Sequence, residues 1–293
     1  MGWAVCWVAL CSCSSLPEAP KGAARVRPSD TPMNREGHFG LILLPIALEN
    51  GKPMWFIVDT GSPYTILDAS LEPKLGESLG SSSIHSTYGT MPGHLCRAPT
   101  LLLNGTQLQT GHKVRTADLS KPSQDLAGIT HTNQRVMGVL GMDCLGHYCI
   151  QLDFASRSVR FLDSSHLNKQ ALGEALPLSF FFNAIYVRQN LLGEAARTRV
   201  DTGCNFDGEV KTLAFRQRFG AKRQLVEEHA CGVFAGDTYS DLCIIADANL
   251  NLIGLHFLAR HVVTFDFPAR MMYLSRIPTQ QPTAGTNGQA LAR

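Results

Sequence analysis

Apolar and polar positions alternate along two stretches of the chain that superimpose on one another. With Gly141 placed over Gly254, Leu145 meets Leu258, Asp153 meets Asp266, Phe154 meets Phe267 and Arg157 meets Arg270 without a gap. Between these identities Ile150 and Val263, Leu152 and Phe265, and Val159 and Met272 keep the same apolar character. Period-two alternation on both sides of a shared Asp-Phe-x-x-Arg turn predicts the same β-hairpin twice, each with one buried face. Self-similarity of this kind is the mark of an internal duplication.

Upstream, the pattern predicts paired strands in each copy, over 41–48 and 55–58 in the first and over 180–187 and 197–200 in the second. Asn50-Gly51 supplies the turn of the first pair. Each pair runs into the same tetrapeptide, Val58-Asp59-Thr60-Gly61 and Val200-Asp201-Thr202-Gly203. A short helix should follow each: Leu71 and Leu75 stand one turn apart before Gly76, as do Phe215 and Phe219 before Gly220. Pro73 restricts the first helix to about a turn. The expected organisation is a leader and linker (1–37), a first lobe (38–165), a second lobe (166–275) and a disordered tail (276–293). The interval from Asp59 to Gly141 is 29 positions longer than that from Asp201 to Gly254. Residues 111–135, polar and turn-rich, are expected to hold the difference as a surface insertion.

Composition narrows the class without naming a function. The chain has 293 residues, 44% hydrophobic and 17% charged, which suits a packed core rather than disorder. A net charge of +2 with scattered basic residues gives no reason to expect a nucleic-acid partner. Residues 2–13 are apolar and 14–37 polar and Pro-rich. The apolar run is too short for a membrane-spanning helix but suits the h-region of a secretory signal, although the n-region lacks Lys or Arg. Export to the cell envelope, periplasm or outside is the expectation. Leu10-Cys11-Ser12-Cys13 offers an alternative in which Cys13 is lipidated and tethers the chain to a membrane. A disordered leader on a cytoplasmic protein and a misassigned start are the others. Six cysteines lie beyond the leader, and Cys231 and Cys243 flank a segment they could bridge. No Cys/His spacing calls for a metal, and no cofactor is expected.

One Asp-Thr-Gly is explained by a turn, since Asp bonds its own backbone and Gly tolerates positive φ. That reading gives no reason for both copies to keep the acid. If the halves pack about an approximate twofold axis, Asp59 and Asp201 meet, and two like charges about 3 Å apart share one proton. The ionised member can activate a water while the protonated one polarises a peptide carbonyl. Thr60 and Thr202 would hydrogen-bond across the pair, and Gly61 and Gly203 would let backbone approach the acids.

Phe56-Ile57-Val58-Asp59-Thr60-Gly61-Ser62 with Val139-Leu140-Gly141, and Val200-Asp201-Thr202-Gly203 with Leu252-Ile253-Gly254, resemble the active-site loop and the apolar-apolar-Gly element of retropepsin- and pepsin-like aspartic proteases. The resemblance runs over nearly all of 37–275 and looks like two retropepsin-type subunits in one chain, closer to bacterial retropepsin-like proteins than to the larger pepsins. It implies a mainly β fold of two pseudo-twofold-related, closed barrel-like lobes with short helices. It also implies a site between the lobes, a peptide or protein substrate, action as a single-chain pseudo-dimer, and a covering flap. Tyr88, Gly89 and Thr90 resemble a flap tip; Gly232 and Phe234 stand at the corresponding place in the second half.

Two departures matter. Cys204 follows the second Asp-Thr-Gly where Ser, Thr or Ala is usual, and it is read as a small space-filling residue, with a redox role as the alternative. Ser62 is expected to bond the outer oxygen of Asp59, which would make Asp59 the carrier of the negative charge. Arg197 and Arg199 stand where the first copy has Trp55 and Ile57, which suggests a less buried strand. Asp143, His256, Asp153 and Asp266 are read as structural. The expected activity is an aspartic endopeptidase; the alternative is a catalytically impaired peptide- or partner-binding protein of the same fold.

Overall fold

The structure is a computed structural model that describes residues 26–33, 40–86, 89–121, 123–124, 135–220, 226–247 and 249–277. The apolar leader with Cys13, the hairpin tip at Tyr88, and the tail from 278 onward lie outside the described residues.

The chain begins with strands β1 (Thr31–Pro32), β2 (Leu43–Leu48), β3 (Met54–Val58), β4 (Ile66–Asp68) and β5 (Ser78–Ser86). Next come β6 (Gly89–Arg97), β7 (Leu101–Leu103), β8 (Thr106–Gln107), β9 (Lys113–Ala117) and β10 (Val136–Leu140). Helix α1 (Met142–Leu145) leads to β11 (Cys149–Asp153) and β12 (Ser158–Leu162). Strands β13 (Glu174–Pro177), β14 (Ser179–Phe181), β15 (Ala184–Gln189), β16 (Ala195–Val200) and β17 (Gly208–Lys211) precede helix α2 (Thr212–Phe219). The rest is β18 (Val226–Phe234), β19 (Asp237–Asp247), β20 (Leu252–Ile253), α3 (Leu255–Leu258), β21 (His261–Asp266) and β22 (Met271–Arg276).

Three sheets result. One has nine strands in the order β5-β6-β9-β4-β10-β3-β2-β7-β8, and another has seven in the order β14-β15-β16-β20-β17-β19-β18. The third, β1-β12-β11-β21-β22-β13, is built from both parts of the chain, with β11 antiparallel to β21. The fold is mainly β, as the alternation predicts, but none of the sheets closes into a barrel. Strand β5 is one of the open edges, and its Ser81 and Ser83 are solvent-facing, as an edge left unpaired requires.

The twofold hairpin reading meets its structure in β11–β12 and β21–β22. Asp153 Oδ1 accepts from Ala155 N at 3.0 Å and Ser156 N at 3.0 Å, and Asp266 Oδ1 accepts from Ala269 N at 3.2 Å. Arg157 and Arg270 occupy the same left-handed position, at φ 54° and 55°. Val159, Val263, Phe265 and Met272 are buried in the main core.

Other elements differ from expectation. The strand expected over 180–187 breaks into β14 and β15, because Phe182 (φ 49°) and Asn183 (φ 60°) form a tight left-handed turn. Part of the stretch read as a surface insertion is strand β9, which lies between β6 and β4 with Val114 and Ala117 buried; residues 125–134 lie outside the described residues. Part of the expected leader is also structural, since Thr31 pairs with Val159. Cys231 and Cys243 are free thiols, as are the other described cysteines.

Asp143 opens α1 half-buried, with Oδ1 accepting from Thr65 Oγ1 at 2.7 Å, and desolvation of its carboxyl pushes its pKa up to about 6. A raised acid favours the folded state fully below its unfolded value near 3.8, and that contribution is lost as pH rises through about 6. The window carries up to about 3 kcal/mol. Asp143→Asn should remove it, so the variant's melting temperature should gain on wild type between about pH 4 and 7. A difference that stays constant with pH in paired thermal melts would show that Asp143 does not titrate there.

Candidate active site

Each Asp-Thr-Gly sits at the end of a strand that a parallel neighbour holds in place. Strand β10 pairs with β3 with Leu140 opposite Val58, and β20 pairs with β16 with Ile253 opposite Val200. Asp59 N donates to Leu140 O at 3.1 Å, and Asp201 N donates to Ile253 O at 2.9 Å. The loop then returns over the apolar-apolar-Gly element: Met142 N donates to Ser62 O at 2.8 Å and Leu255 N to Cys204 O at 2.6 Å. A Cβ on Gly141 or on Gly254 would meet a loop carbonyl, that of Tyr64 or of Phe206, at 2.2 Å in either case. Glycine is needed at both positions for one reason, the closeness of backbone to backbone.

The two loops face each other and are joined by four reciprocal bonds. Thr60 Oγ1 accepts from Thr202 N at 3.0 Å and donates to Val200 O at 2.9 Å. Thr202 Oγ1 accepts from Thr60 N at 3.0 Å and donates to Val58 O at 2.8 Å. Gly61 and Gly203 make room for the acids crosswise. A Cβ on Gly61 would lie 2.2 Å from the Asp201 carboxyl carbon, and one on Gly203 would lie 2.5 Å from that of Asp59. Asp59 and Asp201, 142 positions apart in sequence, are thus adjacent and both fully buried.

The electrostatics follow from that closeness. Asp59 Oδ1 accepts from Gly61 N at 2.7 Å and Ser62 N at 3.1 Å; Asp201 Oδ1 accepts from Gly203 N at 2.9 Å. Burial, then the charge of Asp201, raise the Asp59 pKa well above the carboxylate range, and a side-chain hydrogen bond to Asp201 adds to the shift. The Ser62 hydroxyl takes no part, because it donates to Tyr64 O at 2.7 Å. The expectation that Ser62 holds the negative charge on Asp59 is therefore corrected. Cys204 is buried against Phe206 and Leu252, as a space-filling residue would be.

Arg199 departs from the expectation of a less buried strand. Strand β16 is exposed at Arg197, whose guanidinium stacks 3.9 Å from the Tyr186 ring centre, but it turns inward at Arg199, which is 4% exposed. Arg199 Nε lies 3.9 Å from Asp201 Oδ2, and its Nη2 donates to the carbonyl of Gly61 in the opposite loop. The signal was present in the chain. An arginine two positions before a buried aspartate in a strand lies on the same face as that aspartate.

The lid residues fare differently. Gly89 and Thr90 open β6 in the β5–β6 hairpin, whose tip at Tyr88 is outside the described residues. Phe234 is fully buried against Phe257, ring centres 5.3 Å apart, and a Cβ on Gly232 would meet the Leu191 carbonyl at 2.4 Å. The turn beyond them bonds Ala235 N to Gln189 Oε1 at 2.9 Å. Gly232 and Phe234 are therefore buried residues of the second half, because the alternation of β18 turns both inward, whereas a lid would face an open cleft.

Two surface cavities lie elsewhere: one of about 330 Å³ is bordered by Val187, Gln189 and Ala195, the other of about 710 Å³ by Leu48, Met54 and Arg97. Among the described residues, no three His, Cys, Asp or Glu side chains are grouped closely enough to hold a metal ion.

The family model for aspartyl protease matches residues 44–144, the stretch from β2 to α1 that carries Asp59. The match supports this family and a protease function in general. No curated protein matches the chain.

Proposed function

We propose that the chain is an aspartic endopeptidase that hydrolyses peptide bonds with a water activated between Asp59 and Asp201, acting as a single-chain pseudo-dimer of two retropepsin-like lobes. The observation that carries this reading is the reciprocal grip of Thr60 and Thr202, which holds two buried carboxyls side by side. The matching bonds of the two loops, and the hairpins repeated in the shared sheet, support the tandem organisation. A buried pair of carboxyls with one proton between them is both acid and base. The ionised carboxyl takes a proton from water as its oxygen attacks the peptide carbon, and the protonated carboxyl gives its proton to the carbonyl oxygen. The tetrahedral intermediate collapses when the leaving nitrogen is protonated by the acid just formed, and the other carboxyl takes back a hydroxyl proton.

The alternative of a catalytically impaired binding protein rests on Cys204 and on the unequal lengths of the two halves. Ser62 does not direct its hydroxyl at Asp59, so a residue without a hydroxyl at 204 withholds nothing from the acid pair. Incubation of the purified protein with a peptide library between pH 3 and 7, read by mass spectrometry, tests the activity. Cleavage at defined internal bonds is expected; intact peptides across the whole range would end this reading.

A further inference from the structure

The two loops are matched bond for bond, yet one charged group beside them is not. Where the first copy has the fully buried Ile57, the second has Arg199, buried between the loops. The geometry points to Arg199 as the positioning residue that divides the roles of the acid pair, holding the negative charge on Asp201 as general base and leaving the shared proton on Asp59 as general acid. The inference rests on the proposed proteolytic reading and deepens it.

Three observations carry it. The guanidinium Nε is 3.9 Å from Asp201 Oδ2 in a site where both groups are buried, so water screens the attraction little. Its other end is anchored: Nη2 donates to Gly61 O, so the cation is fixed by the opposite loop. Asp59 carries the opposite bias: burial and then the charge of Asp201 raise it, and the lowering by Arg199, which also reaches Asp59, is the smaller effect. The Asp59 loop has Tyr64 O, not an acid, as the partner of its serine hydroxyl.

The charged groups facing Asp201 are Asp59, Arg199 and Glu209. Glu209 stands on β17 opposite Leu252, which in turn stands opposite Arg199, so the three share one face of the sheet. Burial, then Asp247 and Asp201, push the Glu209 pKa up to about 7. Glu209 is therefore largely neutral below about pH 7, and there it puts no competing charge beside Arg199.

The test follows the two carboxyls directly, by ¹³C-carboxyl NMR titration of the full chain, beside the pH profile of kcat/KM. In wild type the lower titration belongs to Asp201 and the higher to Asp59. In Arg199→Met the lower titration should rise by about one unit or more, with the acid limb of the pH profile moving up by the same amount. Arg199→Lys keeps a cation and should bring the lower titration back to within about half a unit of wild type. It also serves as the check should the Met variant fold poorly. A lower titration unmoved in Arg199→Met, or equally displaced in Arg199→Lys and Arg199→Met, overturns the assignment, as does a lower titration that belongs to Asp59. Carboxyl titrations that behave as expected in a protein that cleaves no peptide would support the role of Arg199 and remove the proteolytic reading alone.

Discussion

Asp59→Asn and Asp201→Asn should each lower kcat/KM for peptide cleavage by at least about a thousandfold, with folding and thermal stability retained. General acid and general base each contribute about a hundred- to ten-thousandfold, and the pair works as one proton-sharing unit. Either amide removes both functions together, because it can neither ionise nor exchange the shared proton. The double variant should therefore be no more than about tenfold worse than either single one, as expected when groups act as a unit. Asparagine keeps the acceptor that Gly61 N and Gly203 N require, so the loops should hold their shape. Steady-state kinetics on one cleaved peptide decides the matter. A variant that retains a tenth of wild-type activity would remove that aspartate from the reaction.

The second large effect concerns assembly of the site rather than its chemistry. Thr60→Val and Thr202→Val keep the side-chain shape and delete one hydroxyl each. Thr60→Val leaves the Thr202 N–H and the Val200 carbonyl without their partner, and Thr202→Val does the same to the Thr60 N–H and the Val58 carbonyl. Each orphaned buried group costs about 1 to 3 kcal/mol, so each variant should lose about 2 to 6 kcal/mol. That is a large share of the roughly 5 to 15 kcal/mol that holds an ordinary domain folded. Activity should fall with stability, because the same bonds set the distance between the acids. The double variant should cost less than the sum of the singles, since the two hydroxyls serve one contact. Urea denaturation of the three variants measures this; a loss below about 0.5 kcal/mol in each single variant would mean that water or a backbone shift serves the freed groups.

Much of the scaffold could be read from the chain because it rests on local rules. Alternation around Asp153 and Asp266 gave the paired hairpins, since strand period and turn chemistry are properties of a few neighbouring residues. Asn50-Gly51 gave its turn, with Asn50 at φ 59°, for the same reason. Phe182-Asn183 was missed because a phenylalanine in the left-handed region is no local signal; the pairing of Phe180 with Ile185 makes it turn there. Strand β9 carries no strong local strand signal, because its sheet neighbours, β4 and β6, are distant in sequence and its burial depends on such distant contacts.

The acids of the candidate site were legible for a related reason. Two copies of one motif imply two copies of one loop, and the residue types Asp, Thr and Gly are each required by that loop's own geometry. The polar detail around them was not. Ser62 directs its hydroxyl to Tyr64 O, a contact two positions away that depends on how the loop curls after Gly61. Arg199 looked like a sign of an exposed strand, since a charged residue in isolation is best solvated. Its burial is possible only where a carboxylate and an opposing carbonyl are already in place.

The sequence by itself determined that two equivalent Asp-Thr-Gly loops exist, each at the end of a strand, because repetition and alternation need no knowledge of distant contacts. Only the tertiary structure decided that the loops meet, that each glycine admits the other loop's acid, and that a single buried arginine sits on one side of the pair. Charge in a protein interior depends on which groups lie within a few ångströms and on how much water is excluded, and neither quantity is a property of neighbouring residues in the chain.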